Sequence, residues 1–375
     1  MIHTAQTILS AFDIRGNVLK NRLTVAPMTR VSATEDGLAT NTMRRYYARF
    51  AAGGFGLVIA EGLYTDLSHS QGYRNQPGMA EDKQAATWQA ITDDAHAHNT
   101  RMFAQLMHAG ALSQENRFRS WNVAPSPIRP KGEQMAFYYG TGAYPMPVAL
   151  DEAGIAGVIE GFVAAATRAV HIAGFDGIEI HAANGYLLDQ FLTAETNDRV
   201  DAWGGTVASR LALPVAVLRA VKAALGDAIP VGIRISQAKV NDYLSKWPGK
   251  QSDAQAIFGA LADAGADFIH VTEFEAWRPA FDGSTESLVK LAHQYAPGVP
   301  IIANGSLGDA ARANDALADG ADIVAVGRTA LANPDLPTLF ESGVAPRPFD
   351  PAILGPIADV KDSEICLALS YKEQG

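Results

Sequence analysis

Cysteine is nearly absent from this 375-residue chain, and the single Cys366 leaves no internal disulfide and no multi-cysteine zinc or iron-sulfur site to consider. Its expected role is that of a small apolar filler near the C-terminus. Basic charge is scarce as well: 30 Lys and Arg against 40 Asp and Glu give a formal charge of -10. That balance argues against nucleic acid or an anionic membrane as the main partner, and it means that an anionic ligand must be held by local arginines. No stretch reads as apolar for the roughly 20 residues a membrane span needs, and Met1 to Gln6 show no basic segment leading into an apolar run. The expectation is a cytoplasmic protein without membrane contact, a monomer or homodimer, acting on a small molecule. Linkers, charge runs and low-complexity blocks are missing too, so residues 1–375 read as one domain.

What is present is regular alternation. With 48% hydrophobic residues the chain can bury a large core. After a small hairpin at 11–17 with its turn at Gly16-Asn17, short apolar runs recur at 23–26, 57–60, 101–106, 177–180, 231–235, 268–271, 301–303 and 323–326. Buried parallel strands read this way. Helical stretches are expected at 81–98, 151–173, 207–225, 254–264, 285–295 and 309–317. Eight such units predict a closed (β/α)8 barrel, and no G-x-G-x-x-G follows the first strand to favour an open dinucleotide-binding sheet. Residues 111–150, with five prolines and the aromatic patch Phe137-Tyr138-Tyr139, form a connection long enough to act as a lid over the active mouth.

Barrels of this kind place their chemistry where strands end. The fourth run ends in His181-Ala-Ala-Asn184-Gly185-Tyr186-Leu-Leu-Asp189-Gln190-Phe191. If the chain turns helically there, His181 and Asn184 share a face and could both donate to one oxygen, while Tyr186 lies about 140° around the turn. Equally, they could satisfy backbone groups at a strand end. Thr29 follows Pro27 at the first strand exit, and Gln105, Met107 and His108 end the third. His108 reads as a satisfied core histidine. The seventh and eighth strands end in Asn304-Gly305-Ser306 and Gly327-Arg328, where glycines, a helix start and an arginine could hold a phosphate. Arg234, at the fifth exit, needs either a carboxylate or an electron-rich ligand.

Taken as a set, Ala26-Pro27-Met28-Thr29-Arg30, Gln105 before Met107-His108-Ala109-Gly110, the His181 to Phe191 motif, Trp203-Gly204-Gly205, Ser209-Arg210, Arg234 and Gly327-Arg328 resemble the Old Yellow Enzyme family over residues 21–337. The resemblance implies an FMN-dependent ene-reductase that takes electrons from NADPH or NADH. By that resemblance Pro27, Met28, Thr29, Ala60 and Gln105 would line the flavin ring, Arg234 would face its N1 and O2 side, and Asn304, Gly305, Gly327 and Arg328 would hold the phosphate end. His181 and Asn184 would bind the substrate carbonyl and Tyr186 would supply a proton, with Tyr73, Met107 and Trp277 as further pocket residues. The chain departs from the family at Met107, where some members carry Trp, at Ala111, where Arg is frequent, and at Thr329-Ala330, where a Pro-Phe pair is frequent. No metal is implied. A flavin-free lyase or isomerase that holds a substrate phosphate, and a flavin-binding module without catalysis, are the competing readings.

Overall fold

Eight parallel strands close into a ring in the computed structural model, which describes residues 7–370. The barrel strands are β1 (Leu23–Val25), β2 (Leu57–Ile59), β3 (Arg101–Met107), β4 (Gly177–Asn184), β5 (Val231–Lys239), β6 (Ile269–Thr272), β7 (Ile301–Asn304) and β8 (Ile323–Val326). Each pairs with the next, and β8 returns to β1 through Val326 and Val25. Nearly every strand position is buried, because side chains on one face fill the barrel and those on the other meet the helices.

The N-terminal hairpin, Phe12–Ile14 with Asn17–Leu19, turns at Arg15 and Gly16, both left-handed, one residue before the expected turn. Its Ile14 and Leu19 join Leu57, Ile59, Phe103, Phe268, Ile302 and Ile323 in one apolar cluster. The hairpin thus plugs the barrel and leaves the other end, where the strands exit, for a ligand.

Most expected helices form, with instructive differences. The stretch 207–225 is two helices, Val207–Arg210 and Ala212–Leu225, split at Leu211. Pro214 sits in the first turn of the second, where its missing N–H costs nothing. Helix Asn41–Ala52, between β1 and β2, is not anticipated above, although Met43, Tyr46, Tyr47 and Phe50 recur at helical spacing and are buried. Helix Glu152–His171 is long and apolar enough to cross a membrane, contrary to the reading that no such stretch exists. Here its Ile155, Val158, Phe162, Ala165 and Ala169 are packed in the core. Cys366 is exposed and not a filler. Residues 111–150 hold short 3-10 turns, and a pairing of Val123–Ala124 with Val148–Ala149 ties the ends of the excursion together.

The C-terminal segment returns to the barrel mouth. Arg30, fully buried just past β1, donates to both carboxylate oxygens of Glu364 at 2.9 and 2.5 Å and to the carbonyls of Ala358 and Asp359. A buried arginine is tolerable only when paired and hydrogen-bonded in this way.

Candidate active site

At the strand exits lies a cavity of about 880 Å3. It is lined by Ala26, Pro27, Met28 and Thr29 after β1, Gln105 and Met107 of β3, His181, Asn184 and Tyr186, Arg234 of β5, Asn304 and Gly305, and Gly327 and Arg328.

The chain does not turn helically at His181. β4 stays extended through Asn184, and in a strand residues three apart point to opposite faces. Asn184 reaches the same cavity as His181 by adopting φ +62°, a left-handed conformation that Asn tolerates better than most residues. The elbow that follows is clamped. The Asn184 backbone N–H donates to Ser236 Oγ at 2.7 Å, the Gly185 backbone N–H to Asp189 Oδ2 at 2.6 Å, and Gln190 Nε2 to the Gly185 carbonyl at 2.7 Å. Lys239 donates to both oxygens of Asp189 at 2.6 and 2.7 Å. Tyr186 then caps the helix Leu187–Leu192.

Burial, then the nearby Arg234 charge, hold the His181 imidazole well below its usual pKa, so it is neutral. Its Nδ1 accepts from the Ala183 amide at 3.3 Å, which puts the remaining proton on Nε2. The ring meets Tyr186 edge-on, with centroids 4.9 Å apart. Burial raises the Tyr186 phenol to about 12 against the lowering effects of Tyr73 and Arg234, so it is a proton donor at neutral pH. Three neutral hydrogen-bonding groups therefore meet at one wall.

Arg234 stands beside His181 in the register of β4 and β5, without a carboxylate ion pair among the described residues. Its Nη2 donates to Thr272 Oγ1 at 3.1 Å and Asn304 Oδ1 at 2.9 Å, while its buried Nε has no hydrogen-bond partner among the described residues. The Asn304 amide also accepts from Thr272 and donates to the Ala325 carbonyl, so Asn304 is committed to the frame of β6, β7 and β8. Gln105 gives its amide protons to Glu179 at 2.8 Å, and Glu179 in turn meets His270 at 2.6 Å.

At the β7 and β8 end, Gly305 sits at φ +145°, and a Cβ there would lie 2.4 Å from the Glu273 carbonyl, so only glycine fits. Arg328 Nη2 reaches Ser306 Oγ at 3.1 Å, its one side-chain hydrogen bond among the described residues. The helix Ala310–Ala318 does not offer its N-terminus, because the Asp309 carboxylate already accepts from the Ala311 and Arg312 amides.

Three expected positions lie outside the lining of this cavity. Tyr73 is fully buried and absent from the cavity wall, with its Oη 2.6 Å from Tyr186 Oη. Trp277 lines a neighbouring cavity of about 570 Å3, its ring 3.9 Å from the Arg312 guanidinium carbon. Ala60 is sealed in the core behind the wall. Of the aromatic patch, Phe137 and Tyr138 line the cavity and Tyr139 does not. His108 is buried and accepts from the Gly110 amide at 3.1 Å. The sequence reading missed Met135, Tyr243, Phe274, Phe349, Pro351 and Leu354, which also line the cavity from loops without periodicity.

The donor set suits a flavin mononucleotide. Arg234 has a buried Nε without a partner among the described residues, and glycine and arginine line the β7 and β8 end, the kinds of donor that a flavin ring edge and its phosphate would need. Fold and site together define a barrel oxidoreductase with neutral donors facing a cofactor cradle.

Residues 8–346 match the NADH:flavin oxidoreductase / NADH oxidase family, and the chain belongs to it. Its relatives include the chanoclavine-I aldehyde reductase of Penicillium roqueforti, 35% identical over 341 residues, which are 89% of this chain and 89% of that one. Among solved structures, morphinone reductase in complex with tetrahydroNAD is 32% identical with a TM-score of 0.81, covering 93% of this chain and 94% of that one. The Old Yellow Enzyme homologue of Zymomonas mobilis is 28% identical with a TM-score of 0.85, covering 96% and 98%. The resemblance read from the sequence therefore stands: the protein is an FMN-dependent oxidoreductase that draws on NADH or NADPH. The flavin-free lyase or isomerase falls with that membership.

Proposed function

We propose that this enzyme reduces carbon–carbon double bonds conjugated to a carbonyl or nitro group, with NAD(P)H as the electron source. The observation that carries the reading is the meeting of His181, Asn184 and Tyr186 on one wall of the cavity. His181 Nε2–H and the Asn184 amide would bind the substrate oxygen, and because both are neutral and preorganised they would stabilise the negative charge that grows there. Tyr186 would hand its proton to the carbon next to the carbonyl, a step worth roughly 10² to 10⁴ in rate. Pro27, Met28, Thr29 and Gln105 would hold the flavin ring, Arg234 its pyrimidine edge, and Gly305, Gly327 and Arg328 the phosphate. FMN, when bound, supplies the hydride for the far carbon of the double bond and regains it from NAD(P)H.

Met107, Met135, Phe137 and Tyr138 bound the substrate side, so residues 111–150 act as a cap that sets which substrates fit and excludes water. Flexible thioethers at two of these positions adapt to varied shapes.

The experiment is a visible spectrum of the purified protein followed by turnover of cyclohexenone with NADH and NADPH. A yellow protein that consumes the enone and the nicotinamide in equal amounts supports the reading. A protein that cannot be reconstituted with FMN, or a flavoprotein inert to enones, maleimides and nitroalkenes alike, ends it.

A further inference from the structure

Tyr73 has a hydroxyl in an unusual position. Its ring is fully buried in a cluster of Val31, Met107, Ala109, Leu112 and Tyr144, with the Tyr138 ring centroid 4.7 Å away. Among the described residues its Oη has one hydrogen-bond partner, Tyr186 Oη at 2.6 Å. The neighbouring phenols are engaged elsewhere: Tyr138 donates to the Thr29 carbonyl and Tyr144 to Gln114 Oε1.

Hydrogen-bond arithmetic then fixes the direction. A phenol sealed in apolar surroundings must place its proton on the acceptor it has, since an unmade buried bond is costly. Tyr186 is the member of the pair that reaches the cavity, so it can direct its own proton there only if it accepts from Tyr73.

From this geometry we infer that Tyr73 is a positioning residue: it donates to Tyr186, aims the Tyr186 proton into the cavity, and stabilises the Tyr186 oxygen once that proton has left. The second effect is the larger, because a hydrogen bond to an oxyanion is roughly twice as strong as one between neutral groups. During proton transfer the Tyr186 O–H bond breaks, the new C–H bond forms, and the electron pair stays on the Tyr186 oxygen, where Tyr73 meets it. The same contact accounts for part of how far Tyr186 is kept from a still higher pKa, since burial alone would push it further. Tyr73 thereby serves the chemistry from behind the wall, without touching substrate.

This inference rests on the proposed ene-reductase reading for its kinetic consequence, and the test separates the two. Tyr73→Phe removes one hydroxyl and keeps the packed ring. In the FMN-loaded enzyme the variant is expected to slow enone reduction roughly 10- to 100-fold, with a larger solvent deuterium effect, the loss falling on that step and not on reduction by NAD(P)H. Independently, difluorotyrosine placed at position 186 reports ionisation of that phenol by fluorine NMR in the flavin-free protein. Its titration is expected to move to higher pH when Tyr73 is Phe. An unmoved or lowered titration, or equal losses in both half-reactions, would overturn the role of Tyr73. Should the parent enzyme reduce no enone at all, the ene-reductase reading fails, while the fluorine titration still decides whether Tyr73 donates to Tyr186.

Discussion

At the β4 end of the cavity, His181 and Tyr186 are 3% and 5% exposed and hold pKa values displaced by burial, whereas at the β7 and β8 end Arg328 and Ser306 stand open to solvent. The first end is fixed by a left-handed Asn184, a buried Asp189–Lys239 pair and the Tyr73 hydroxyl. The second relies on a glycine that nothing else could replace and on the exposed Arg328, with Arg312 also on the lining. The contrast fits what the proposed function would ask of each end. Stabilising charge that appears only during reaction calls for neutral donors in a dry site, while retaining a permanently charged phosphate is served by cationic and backbone donors that water can reach.

The largest effect that should sharpen this comparison is on Tyr186. Tyr186→Phe is expected to lower enone turnover by roughly 10² to 10⁴, while stopped-flow reduction by NAD(P)H stays within a few-fold of the parent. Equal losses in both would mean that the phenol is structural and that the two ends are not separable.

Next comes the anchoring end. Arg328→Ala should weaken FMN retention by about tenfold, measured by fluorescence during flavin release, because its charge is exposed and screened. Added salt should weaken binding to the parent and have less effect on the variant. A change in enone selectivity with unchanged FMN affinity would break the division of labour.

The smallest expected effect is on stability. Burial lowers the pKa of His108, His181 and His270 in the fold. Unfolded imidazoles take protons near pH 6.5 and the folded ones do not, so the unfolded state binds more protons as pH falls below that value and stability is lost there. Glu61, raised to about 7 by burial, acts in the opposite sense between the usual carboxyl value near 4.5 and that value. Burial lowers His69 as well, while Asp176 raises His96 and burial raises Asp189; the three fully buried imidazoles dominate, so the melting temperature should drop by a few degrees between about pH 7 and about pH 5. A flat or rising profile would show that these histidines are not held neutral.

Much of the architecture was legible because parallel strands are buried on both faces and announce themselves as short apolar runs such as Val231 to Ile235. The mouth residues Pro27, Gln105, His181, Arg234 and Gly327 could be placed for the same reason, each following such a run. What stayed hidden depends on distant contacts or on a single dihedral. Nothing local to Tyr73 says that it meets Tyr186, 113 residues away, or that Trp277 packs on Arg312 in a neighbouring cavity. The left-handed Asn184 changed how the motif reaches the cavity, since a helical turn and an extended strand with one reversed residue both fit the same letters. Phe349, Pro351 and Leu354 complete the wall because Arg30 binds Glu364 and the carbonyls of Ala358 and Asp359, an attachment across more than 300 residues that no periodicity signals.

The central claim, that His181 and Asn184 jointly hold an oxygen over the flavin, is tested most directly by titrating the FMN-loaded protein with a simple phenol. A long-wavelength absorption band should grow in the parent and in Tyr186→Phe with similar affinity, and should require roughly 10² times more phenol once His181 and Asn184 are both Ala. A band of undiminished affinity in that double variant would contradict the account.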